Sequence, residues 1–106
     1  MAFNTYDASS KEARILRAEA GDYIKRLRIE KQLTQKQVSN ELGLDYYTFI
    51  SQLECGQGRL PPKMWVSMAK ILGQDPKKFS LTMLSFYDPY AHQAITTGKV
   101  QLYERN

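Results

Sequence analysis

From residue 10 to about 31, the apolar residues Leu16, Ala20, Ile24 and Leu27 recur at three- and four-residue steps, with Tyr23 beside them. That spacing predicts a helix buried along one stripe. Ser9 or Ser10 can cap it, and Glu12 stands at capping-box distance from Ser9. Gly21 marks either a bend or a close packing point, and residues before it extend the first core helix. Residues 1–9 read as a flexible arm. The same cap logic recurs at Thr34, with Gln37 three residues on, and opens a second helix whose apolar edge is Val38 and Leu42. Gly43 ends that helix, as glycine does where the chain turns through positive φ.

A third helix is predicted from Tyr46 or Tyr47 to Cys55, with Phe49, Ile50 and Leu53 inward and Gly56 as its stop. Residues 57–61 form a loop. Pro62 suits the first turn of a fourth helix, since its missing N–H is not needed there. Trp65, Met68, Ala69 and Leu72 give that helix its stripe, and Gly73 stops it. Asp75-Pro76 opens a fifth helix reaching about Phe86. Its apolar residues Phe79, Leu81, Met83, Leu84, Phe86 and Tyr87 do not fit one face, so it should be buried on more than one side. One side packs on the domain and the other wants a partner, which makes Phe79, Met83, Phe86 and Tyr87 the candidate dimer interface. Asp88-Pro89 reads as a turn or the start of a short helix. The last residues, with β-favouring positions around Thr97-Gly98, have three readings: a hairpin, a strand paired across a dimer, or a disordered tail. The domain thus spans 10–87, and 88–106 is a C-terminal tail and possible dimerisation element.

The chain has 106 residues, enough for one small domain. Its net charge is +4, from 15 basic and 11 acidic residues, which favours a polyanionic partner without establishing one. Basic and acidic residues are interleaved along the first helix, as on a solvated face. The single cysteine, Cys55, precludes an intrachain disulfide and a cysteine-rich metal site. His92 is the only histidine, so no zinc site is expected. No run approaches the roughly 18 apolar residues of a membrane span, and the start has no signal-peptide core. A cytoplasmic protein without membrane attachment or cofactor is expected. There is no phosphate loop, nucleophile elbow or carboxylate cluster, so an enzyme is not expected.

The stretch LTQKQVSNELGLDYYTFISQLECG, residues 33–56, is where the elements imply chemistry. Its helices must cross steeply, which needs a small residue at the crossing, and Ser39 supplies it. Gly43 allows the tight turn. Ile50 and Leu53 anchor the third helix, leaving Tyr47, Thr48, Ser51 and Gln52 outward. Outward residues near the start of such a helix reach base edges in the major groove. Residues 20–84 resemble the DNA-binding domain of the Cro/CI (Xre) family of repressors. The resemblance rests on Leu27-Arg28, Leu33-Thr34-Gln35, Leu42-Gly43, Ile50-Ser51-Gln52-Leu53-Glu54 with Gly56, Pro61, and Met68-Ala69-Lys70 with Leu72-Gly73.

The resemblance implies an all-α, five-helix, lambda-repressor-like fold with a short N-terminal extension and a C-terminal tail. It implies Tyr47, Thr48, Ser51 and Gln52 as base-contacting residues. Gln35, Lys36, Tyr46, Arg59 and Lys63 are the expected backbone contacts. Arg28 and Glu54 fall at the positions of a structural ion pair. One departure is visible: residues 43–54 are one residue longer than the common pattern, as if Asp45 or Tyr46 were inserted. Either Asp45 caps the third helix with Tyr46 inside it, or Tyr46 stays in the turn. Each contact also has a plainer alternative: Gln52 as an exposed glutamine, Tyr46 and Tyr47 as covers of the core, Lys36, Arg59 and Lys63 as solvated charges.

These readings converge on a sequence-specific regulator of double-stranded DNA, expected as a repressor. It should act as a homodimer on an inverted repeat with half-sites roughly 34 Å apart. The rival is an antitoxin-type protein that masks a toxin partner and represses its own promoter. A third reading, activation by contact with RNA polymerase, differs only in promoter geometry.

Overall fold

The computed structural model describes residues 9–101, so all of the expected arm at 1–9 but Ser9, and the end of the tail at 102–106, lie outside the described residues. Ser10 opens α1, Lys11–Glu30; its backbone is extended and its hydroxyl accepts the N–H of Ala13 at 3.1 Å. The cap is therefore one residue later than a Ser9–Glu12 box would put it, with alanine three residues on. α1 runs through Gly21 without a break. A Cβ at Gly21 would collide with the carbonyl oxygens of Leu53 and Glu54, so the glycine lets two helix backbones touch.

Thr34 and Gln37 form the expected capping box of α2, Gln35–Glu41: Gln37 N–H donates to the Thr34 hydroxyl at 3.0 Å, and Thr34 N–H to Gln37 Oε1 at 2.7 Å. The helix closes at Gly43, where φ is +75°. Leu44 N–H returns to Ser39 O at 2.9 Å and Gly43 N–H to Asn40 O at 3.0 Å, satisfying carbonyls the helix leaves open. α3, Thr48–Glu54, follows. Pro62–Met64 form a single 3-10 turn leading into α4, Trp65–Ile71. Asp75 accepts Lys78 N–H at 2.9 Å and opens α5, Pro76–Tyr87.

A sixth helix, α6, Pro89–Thr97, follows the short-helix reading of Asp88-Pro89 and runs farther into the stretch read as a tail than that reading went. Asp88 accepts Ala91 N–H at 3.1 Å, proline follows, and Gly98 closes the helix at φ +72°. The capping carboxylate and the proline overrule the β preference of Thr96 and Thr97, so among the described residues the hairpin, one of the three readings of this stretch, gives way to a helix closed at Gly98.

The described residues are thus all-α. α1 packs against α3 and α5, α2 against α3, α4 against α5, and α6 against α5. Ala20, Ile24, Val38, Ile50, Leu53, Leu60, Met68, Ala69, Leu72, Phe79, Met83 and Tyr87 form one core. Three of the four residues expected at a dimer interface lie in it: Phe79, Met83 and Tyr87 are buried within the chain. Burying a phenylalanine or methionine stabilises by about 1.5–3 kcal/mol, and α1 and α4 already provide the cover. The fourth, Phe86, is half-buried, its ring centroid 5.8 Å from that of Tyr23. Among the described residues no helix is long and apolar enough to cross a membrane.

Candidate nucleic-acid interface

α3 is seven residues long, too short to hold its place by helix propensity, so its neighbours must fix it. Ile50 and Leu53 are buried on its inner side, and Phe49 is half-buried. Ser39, 1% exposed, sits at the α2–α3 crossing and donates its hydroxyl hydrogen to Tyr46 O at 2.8 Å. That bond ties the turn to α2. It also decides the fate of the longer turn: Tyr46 stays in it, and Tyr47 is the N-cap. Asp45 gives α3 no side-chain cap, because the cap position has moved two residues beyond it.

The far end of α3 is held by charge. Arg28 on α1 grips Glu54 with two hydrogen bonds, Nε to Oε2 at 2.6 Å and Nη2 to Oε1 at 2.8 Å. A third donor, Nη1, reaches Leu33 O at 2.9 Å. The side chains are 11% and 3% exposed, so the pair is shielded from water and salt. The bonds from Arg28 to Glu54 raise the guanidinium pKa, against the opposing effect of burial. The expected Arg28–Glu54 pair is therefore present, and it gains a member: Gln35 Nε2 donates to Glu54 Oε1 at 3.0 Å. Gln35, expected on a phosphate, has one amide hydrogen committed to this network and remains half-buried at the start of α2.

Opposite this anchored side, Thr48 and Gln52 are exposed one helical turn apart, with Ser51 half-buried beside them. Tyr47 and Tyr46 extend the surface at the N-terminal end, 56% and 78% exposed. Neither tyrosine covers the core, which removes that reading of them. Lys36 is exposed one residue beyond Gln35, and Lys63 is exposed in the 3-10 turn. Cys55, an exposed free thiol, follows α3.

Arg59 is placed differently from expectation. Its side chain turns toward the α5–α6 junction, where Nη2 donates to Tyr87 O at 3.1 Å and the guanidinium carbon lies 4.9 Å from the centre of the Tyr87 ring. Sequence reasoning missed this network, because it counted Tyr87 only as surplus apolar surface. Burial pushes the Tyr87 phenol above its ordinary pKa of 10.0, more than the Leu60 amide and the charges of Arg59 and Arg17 lower it. No family model matches the chain, and no curated protein or solved structure matches it either.

Proposed function

We propose that this chain is a sequence-specific DNA-binding regulator of the Cro/CI (Xre) type, a repressor acting as a homodimer on an inverted-repeat operator. The observation that carries the reading is α3 itself. It is locked from behind by Ile50, Leu53, Ser39 and the Arg28–Glu54–Gln35 network, and it offers short polar side chains, Thr48 and Gln52, to solvent. Base readout needs a rigid helix with donors and acceptors on its free face. Gln52 can bond adenine N6 and N7 together, and Thr48 can contact a thymine methyl. Lys36, Lys63, Tyr46 and the second amide hydrogen of Gln35 would meet phosphates, which fix register without reading sequence.

A homodimer supplies the second half-site, since one short helix reads too few bases for genomic specificity. Its interface cannot use Phe79, Met83 or Tyr87, which the chain buries itself. The homodimer and antitoxin-type readings both drew on α5 and the tail as a partner surface, and both lose Phe79, Met83 and Tyr87 from it. The test is Gln52→Ala measured on operator and on random DNA. Operator binding should weaken by about 1–3 kcal/mol while random binding holds. An equal loss on both removes Gln52 from base readout.

A further inference from the structure

Residues 57–61 leave α3 and lead to the 3-10 turn that carries Lys63. Their path depends on Leu60, whose side chain is fully buried. A buried peptide group must find partners for both its N–H and its C=O. Here neither comes from the backbone. Leu60 N–H donates to the Tyr87 hydroxyl oxygen at 2.9 Å, and Leu60 O accepts from the Trp65 indole Nε1 at 2.8 Å. Tyr87 is in turn held by Arg59, whose Nη2 donates to Tyr87 O at 3.1 Å. The loop thus serves the end of α5, and the end of α5 serves the loop. All four residues belong to one closed set on the exit side of the reading helix.

We infer that Tyr87 and Trp65 are positioning residues for DNA binding: by clamping Leu60 they fix the loop that leads into the turn carrying the exposed Lys63, the phosphate contact proposed above. The inference rests on the DNA-binding reading. Because phosphate contacts position and base contacts specify, the clamp governs affinity for any DNA and not the choice of sequence.

Tyr87→Phe tests this by removing one oxygen and keeping the ring. Amide hydrogen exchange at Leu60 should accelerate roughly 5- to 150-fold, the range expected for a buried N–H that loses its acceptor. The log–log salt dependence of DNA binding should become shallower by about 0.9, one phosphate contact. The ratio of operator to random binding should stay constant. Trp65→Phe, which removes the other half of the clamp, should act in the same direction. Ile24→Val, a core change on α1 that touches none of the clamp's hydrogen bonds, controls for stability and should leave the salt slope alone. Unchanged exchange at Leu60 overturns the clamp. An unchanged slope in Tyr87→Phe, or an equal change in Ile24→Val, overturns the positioning role. A wild-type chain that binds no DNA overturns the DNA reading and this role with it, while the exchange experiment still decides the clamp.

Discussion

Glu54 is the residue on which most of the candidate site leans. Its two carboxylate oxygens receive Arg28 and Gln35, so it joins the end of α1, the start of α2 and the end of α3. Glu54→Ala would leave the Arg28 guanidinium shielded and unpaired. Urea unfolding should show a loss of about 3–5 kcal/mol. The double replacement Arg28→Met with Glu54→Leu should cost less than Glu54→Ala alone, because no stranded charge remains. A second single-residue prediction concerns pH. The Tyr87 phenol is held above 10.0 in the folded chain by burial, so the unfolded chain ionises first as pH rises. Wild-type stability should therefore fall as pH passes 10 and go on falling until the folded phenol ionises. Tyr87→Phe lacks this contribution, and its stability difference from wild type should narrow over that range. A difference that stays constant to high pH would contradict the burial of this phenol. The pair Arg28–Glu54 was legible in the sequence through resemblance. The Gln35 bond was not, since nothing in a sequence tells which of several acceptors an amide will choose.

At the scale of elements, capping chemistry was the most readable signal. Thr34 with Gln37, Asp75 with Pro76, and Gly43 each mark a boundary where the helix begins or ends. α6 carries the same signal, Asp88 with Pro89, but has no buried residue and so no apolar stripe to confirm it. Its support is the cap, the Gly98 stop and packing on α5. The turn before α3 was unreadable for another reason. Its outcome depends on the Ser39 hydroxyl reaching the Tyr46 carbonyl, a backbone target that side-chain patterns do not encode. Two glycines separate conformation from packing. Gly43 and Gly56 have nearly equal φ, +75° and +77°. Around Gly43 a Cβ meets nothing within 4 Å, whereas at Gly56 it would lie 2.8 Å from Ala18 Cα. Gly43→Ala should cost about 1–2 kcal/mol from backbone strain alone. Gly56→Ala should cost about 1–3 kcal/mol more, because α1 must move away. Equal losses in thermal unfolding would mean that α1 does not press on the end of α3.

At the scale of the whole molecule, the six α-helices of the described residues bring the polar face of α3, the exposed Lys36 and Lys63 and the clamped loop into one chain with a net charge of +4. A docking dominated by phosphates should weaken with salt at a log–log slope of about −0.9 per phosphate neutralised. Salt-insensitive binding would contradict such docking. Much of the apolar surplus on α5, which looked like a partner surface in the sequence, is the chain's own core: Phe79, Met83 and Tyr87 are buried in it. Composition counts apolar residues and cannot tell which of them the same chain will cover. The measurement that bears most directly on the central claim is sequencing of genomic fragments retained by the purified protein, in parallel for wild type and Gln52→Ala. The account predicts one short inverted-repeat motif enriched by wild type, its half-sites about one helical turn, roughly 34 Å, apart, with enrichment reduced by Gln52→Ala. Fragments retained without any common motif, or a motif recovered equally by both proteins, would contradict it.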